Sequence, residues 1–203
     1  MTNSKHRYAG KVEAINSAGK GLRAEFVWFG DRFGHRIFGV YGTTTVHLLS
    51  SAESDQGELW PVSPPVQEFN DPYISSDINS GAVGLAVGAA GSSYWSMGID
   101  VANEEEPALT FDVACRAKQK PEWLGSTYDL AEATGVSCGM LKVDIESAVG
   151  NYRVQAMAPQ GSLELIDCLL HATDDRITLS CTTPDDLTPP ITMRWQYRIG
   201  MRE

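Results

Sequence analysis

The chain has no Cys-x-x-Cys pair, no long apolar run, little helical periodicity and few basic residues, and each of these gaps removes a class of protein. Its four cysteines, Cys115, Cys138, Cys168 and Cys181, stand far apart. None has a histidine partner at zinc-finger spacing, so they read as structural free thiols. The most apolar stretch, GAVGLAVGAAG at Gly81–Gly91, is about half the length needed to span a bilayer and is rich in glycine. No membrane-spanning helix is expected. The polar start MTNSKHRY leads into no apolar core of a signal peptide, so neither a leader nor an anchor is expected and a cytoplasmic home is. Sixteen Lys and Arg stand against 26 Asp and Glu, a net charge of −10. That balance opposes the attraction to phosphate that dominates nucleic-acid binding and the attraction to anionic lipid, so neither partner is expected. The acidic residues cluster at Glu104–Glu106, Asp174–Asp175 and Asp185–Asp186, where turns belong, and serve solubility.

What the sequence does have is alternation. Side chains on a strand point to opposite faces in turn, so an apolar residue at every second position marks a half-buried strand. Ile191, Met193, Trp195, Tyr197 and Ile199 share one face, with Thr192, Arg194, Gln196 and Arg198 on the other. The same rule runs through Trp95–Val101, Leu109–Cys115, Leu141–Ile145 and Ile177–Cys181. Turn residues separate these runs: Gly30–Gly34, Ala102–Ala108, Ala148–Asn151 and Thr173–Arg176. Sequential hairpins predict antiparallel pairing. The fold expected is all-β, an antiparallel sandwich or barrel of about 8–12 strands, an ordinary size for such architectures. Residues 11–203 are expected to form one domain, preceded by a flexible arm over residues 1–10. Helix is confined to a turn or two in Pro121–Ala133; Leu163–Leu170 is expected as a strand joined to Ile177–Thr182 by the Thr173–Arg176 turn, although Leu163–His171 could also coil. The proline-rich stretches Trp60–Pro72 and Thr182–Pro190 read as irregular crossings, because proline cannot pair within a central strand. The PxxP match at Pro61–Pro64 reads as part of a stiff loop rather than as a ligand for a peptide-binding domain.

Several constellations bear on function. Gly135-Val136-Ser137-Cys138-Gly139 matches the nucleophile-elbow pattern, with Asp144 or Asp167 and then His171 downstream in hydrolase order. That elbow needs a buried strand before the serine and a helix after it, whereas Ser137 follows a polar segment and precedes an alternating run. A loop before a hairpin is the plainer reading. Gly81–Gly91 lacks the Gly-Lys-Ser/Thr ending of a phosphate-binding loop, and reads as a closely packed strand or a loop. His6, His35, His47 and His171 show no paired spacing, so no metal and no cofactor is expected. Asp31, Arg32, His35 and Arg36 form the densest polar cluster, around one predicted hairpin, where either a ligand or solvent fits. Arg194, Gln196 and Arg198 project from one face at intervals of about 6.8 Å, a spacing that could grip an anion or pair with acids on a neighbouring strand. Of the five tryptophans, Trp28, Trp95 and Trp195 fall in phase with core residues. Trp60 and Trp123 stand beside prolines in predicted loops and are the candidates for ligand contact.

The function these features favour is a noncatalytic binding or assembly module, its partner an unknown small molecule or protein, with self-association as a further route. The alternatives are a small serine hydrolase using Ser137 and His171, and a barrel carrying an apolar small ligand.

Overall fold

A computed structural model describes residues 8–70, 83–158, 168–183, 185–186 and 188–202. Among the described residues there is no helix, and the alternating runs form fifteen strands. In chain order these are β1 (Tyr8–Ile15), β2 (Lys20–Phe29), β3 (Arg32–Tyr41), β4 (Thr44–Ser51), β5 (Glu68–Asn70), β6 (Val83–Ala90), β7 (Ser93–Ala102) and β8 (Ala108–Ala117). They continue with β9 (Gly125–Leu130), β10 (Gly135–Cys138), β11 (Lys142–Ser147), β12 (Gly150–Met157), β13 (Cys168–Ala172), β14 (Arg176–Cys181) and β15 (Ile191–Arg202).

Two antiparallel sheets result. One has the order β1-β2-β3-β4-β9-β14-β13 and the other β10-β11-β12-β15-β8-β7-β6-β5. Each sheet ends in two edge strands, so neither closes on itself. Among the described residues the fold is a sandwich, with the sheets not closed into a barrel. The space between the sheets is filled by large side chains, among them Phe26, Phe111, Tyr128, Tyr152, Trp195 and Tyr197, all fully buried. Their rings interlock: Phe111 and Tyr197 stack at 5.0 Å, and Trp95 meets Trp195 edge-on at 5.9 Å.

The strand count exceeds the 8–12 expected because several strands, β5, β6 and β9 among them, lie outside the alternating runs. β5, an edge strand, sits within the Trp60–Pro72 crossing. The Gly-rich run becomes β6, where a Cβ on Gly88 would stand 1.6 Å from the Pro65 carbonyl oxygen. Glycine is what lets the proline-rich crossing lie against that strand. The helical turn expected within Pro121–Ala133 is instead β9, a central strand held by β4 on one side and β14 on the other. A bulge between Ile37 and Phe38 shifts the β3–β4 register, so Ile37 faces Leu49 while Phe38 faces His47. The extra residue, Leu48, is buried along with Leu49. Of the expected N-terminal arm, Tyr8–Gly10 belong to β1, with Tyr8 opposite Val27 and Gly10 opposite Phe26, while residues 1–7 lie outside the described residues. Of Leu163–His171, only the part from Cys168 is described, and it is strand.

Candidate functional site

Trp60 and Trp123 come together. β4 ends at Ser51 beside Tyr128 of β9, so the segment after β4 and the segment before β9 emerge at the same end of the sandwich. They form a surface cleft of about 380 Å³ lined by Glu58, Leu59, Trp60, Val62, Glu122 and Trp123. Both indoles are half-buried, and Trp60 packs against the core from its edge. The loops that carry them are tied down. The Val62 N–H donates to Ser54 Oγ at 2.8 Å, Ser63 Oγ donates to the Thr127 carbonyl at 2.9 Å, and the Ala52 N–H donates to the same carbonyl at 2.8 Å. On the other side, the Cys181 N–H donates to the Leu124 carbonyl at 2.8 Å. A Cβ on Gly125 would stand 2.8 Å from the Trp123 ring, so only glycine leaves that indole its seat. The result is an aromatic surface with a carboxylate from each loop and, among the described residues, no basic side chain in its lining.

The Asp31, Arg32, His35, Arg36 cluster is divided by the sheet. His35 faces inward and is buried, its Nε2 2.6 Å from Tyr128 Oη, which in turn lies 2.6 Å from Tyr197 Oη of the facing sheet. Burial lowers the His35 pKa to about 4, so the ring is neutral, and burial also raises the Tyr128 and Tyr197 hydroxyls. Arg32 is buried too, with its Nε 2.8 Å from Asp31. Its Nη1 has no hydrogen-bond partner among the described residues. Arg36 is exposed. A second cleft, of about 360 Å³, lies over Gly34 and is lined by Trp28, Phe29, Arg36, Ser51, Glu53 and Asp129 among others. Glu53 takes a 2.5 Å hydrogen bond from Ser51 Oγ on Oε1, while its buried Oε2 has no partner. Burial raises its carboxyl to about 7, against the opposing pull of that hydroxyl and of the Arg32 charge.

The arginine pair is committed elsewhere. Arg194 Nε donates to Asp112 at 2.6 Å and its Nη2 to the other carboxylate oxygen. Arg198 Nη2 donates to the Glu106 carbonyl at 3.2 Å. Gln196 is not on a wet face, as its alternation suggested, but is buried at 4% exposure. The acid-paired outer face, rather than an anion grip, is what forms at Arg194.

Ser137 and His171 are not brought together. Ser137 lies on the edge strand β10, where the neighbouring Val136 packs inward and Ser137 is exposed. His171 lies on β13 between inward-facing Leu170 and half-buried Ala172, and is exposed on the outside of the opposite sheet. No hydrogen bond joins them among the described residues. Asp144 is held by Arg153 at 2.6 Å and by Arg202 at 2.7 Å, and Asp167 and His6 lie outside the described residues. Gly135–Cys138 is the edge strand β10 rather than the loop expected before the hairpin. His47 accepts from or donates to Ser50 Oγ at 2.9 Å within β4. Among the described residues no group of His, Cys, Asp and Glu is arranged to hold a metal ion, and no helix is long and apolar enough to cross a membrane.

The residues that single-residue reading missed are the carboxylates Glu53, Glu58 and Glu122. Two of them sit within two residues of the singled-out tryptophans, which is the signal that would have found them. The fold and cleft together define an antiparallel β-sandwich with an aromatic, acid-rimmed cleft at one loop end. Compared with known protein families, curated proteins and solved structures, the chain matches none.

Proposed function

We propose that this chain is a noncatalytic binding module, acting as a single cytoplasmic β domain, whose ligand lies against Trp60 and Trp123. The observation that carries this is the convergence of two loop tryptophans, distant in sequence, on one cleft with Glu58 and Glu122 at its rim. Indole faces offer a large apolar surface at low entropic cost, and tied-down loops reduce the ordering penalty of binding. Carboxylates at the rim accept hydrogen bonds and repel anions. The ligand class that fits is a sugar ring, with its C–H face on the indoles and its hydroxyls on the carboxylates. Nucleic acid and anionic lipid do not fit a chain of net charge −10. The geometry offers nothing for the hydrolase reading, since Ser137 and His171 occupy opposite outer faces.

The test is an intrinsic-fluorescence titration with a panel of soluble β-linked hexose oligosaccharides, with tetramethylammonium as the competing chemistry for an aromatic, acidic cleft. Saturable quenching by an oligosaccharide, lost in Trp60→Ala and in Trp123→Ala and weakened in Glu122→Gln, is the expected result. Saturation by tetramethylammonium alone would replace the sugar with an organic cation. Binding that survives both tryptophan substitutions would remove the cleft from the account.

A further inference from the structure

The β13–β14 hairpin sets two cysteines face to face. Its turn closes with the Thr173 N–H donating to the Arg176 carbonyl at 2.8 Å. The register then runs Ala172 with Ile177, Leu170 with Leu179, and Cys168 with Cys181. The Cys181 N–H donates to Leu124, at the start of the β9 side, so its backbone polar groups point away from β13. Cys168 and Cys181 are therefore a non-hydrogen-bonded pair, the kind whose Cα atoms stand about 4.5 Å apart with their side chains closest. A disulfide requires Cα atoms about 4.4–6.8 Å apart.

Both are free thiols, 9% and 7% exposed. The neighbouring Cys181 thiol lowers the Cys168 pKa despite burial, and the neighbouring Cys168 together with burial raises that of Cys181. Cys115, which faces them from β8 in the other sheet, is pushed up to about 12 by burial and has no cysteine opposite it in register. Among the described residues β13 is an edge strand, with β14 on one side and no strand on the other.

We propose that Cys168 and Cys181 form a reversible oxidation site that closes into an intrachain disulfide on exposure to a hydroperoxide. The Cys168 thiolate attacks the terminal peroxide oxygen, the O–O bond breaks, and the alcohol or water leaves, giving a sulfenic acid on Cys168. The Cys181 sulfur then attacks the Cys168 sulfur, the S–S bond forms and the S–O bond breaks, and the departing hydroxide takes the Cys181 proton as water. The two thiols lose two electrons and two protons, and the hydroperoxide is reduced. Because the Cys181 backbone holds Leu124, next to Trp123, the bond also stiffens the segment carrying that indole. The site itself stands independently of the ligand proposed for the cleft.

The test treats the full chain with hydrogen peroxide, alkylates it under denaturing conditions, digests it without reduction and maps the peptides. The expected result is a linked peptide joining Cys168 to Cys181 that dithiothreitol separates, with Cys115 still open to alkylation. Cys138→Ser, which removes the exposed competitor, leaves the rate of linkage unchanged, and Cys168→Ser abolishes it. Should Cys168→Ser fail to fold, the map of the unaltered chain decides alone. Full alkylation of both Cys168 and Cys181 at peroxide levels that consume Cys138, or a link through Cys115 in their place, would overturn the proposal.

Discussion

Tyr128→Phe is the sharpest probe of how the two sheets are joined. Tyr128 Oη stands 2.6 Å from His35 Nε2 on its own sheet and 2.6 Å from Tyr197 Oη on the other. All three residues are within a few per cent of full burial. Removing the hydroxyl deletes two hydrogen bonds, each contributing about 0.5–1.5 kcal/mol net, and leaves a buried imidazole nitrogen unpaired, a further penalty of about 1–3 kcal/mol. Allowing for partial relaxation, the expected loss is about 2–4 kcal/mol, with the ring volume and core packing unchanged. Tyr197→Phe should cost less, about 1–2 kcal/mol, because Tyr128 keeps its bond to His35. The double variant should fall short of the sum, since the two share one bond. Urea denaturation at pH 7 measures all three, with unchanged m-values showing that only stability moved. If Tyr128→Phe lies within about 0.5 kcal/mol of the parent, the polar chain across the core contributes nothing and the reasoning fails.

Trp195 is fully buried and donates its indole N–H to Ser126 Oγ at 3.1 Å, so Trp195→Ala should cost about 3–5 kcal/mol. Arg198→Ala, on the outer face of the same strand, should cost well under that, and equal losses in urea denaturation would show the faces to be misassigned. Because burial holds the His35 pKa at about 4 against an ordinary 6.5, the unfolded chain binds the extra proton first. That contribution to stability is complete above pH 6.5 and is lost as the pH falls towards 4. Glu53 acts oppositely: with its pKa raised from 4.5 to about 7, its contribution is complete below pH 4.5 and is lost as the pH rises through 7. Ionising it costs up to about 3 kcal/mol. Glu53→Gln should therefore abolish the decline in stability between pH 5 and pH 8, and a variant that declines as the parent does would assign that decline to another group. Far-UV circular dichroism should show a β spectrum with helix well under about 15%.

The parts of the fold legible in sequence are those where one face is wet. β15, β8 and β7 alternate because their outer faces carry Arg194, Asp112 and Asp100, and period two announced them. β9 does not alternate: Ser126, Thr127 and Tyr128 are all buried in a central strand, and with Pro121 and Glu122 ahead of it the segment imitated a short helix. β1 is readable from Val12 and Ala14 against Lys11 and Glu13, and only its first three residues, Tyr8–Gly10, fall within the arm expected over residues 1–10. At the site, the loop position of Trp60 and Trp123 was visible from their prolines, yet their meeting depends on the β4–β9 pairing, which no local pattern encodes. His35 and Arg32 looked like surface polar residues because charge alone does not reveal burial. The cysteine pair was within reach: a turn at Thr173–Arg176 places Cys168 opposite Cys181 by counting outwards from it.

The proposed binding function requires that Trp60 and Trp123 share one ligand surface while the other tryptophans belong elsewhere. Five tryptophans give five indole N–H resonances, which two-dimensional ¹H–¹⁵N NMR can follow as the quenching oligosaccharide is added, after assignment by single substitution. The Trp60 and Trp123 signals are expected to shift together with one saturation curve while Trp95 and Trp195 stay fixed. Shifts confined to Trp28, beside the Gly34 cleft, with Trp60 and Trp123 unmoved, would contradict it.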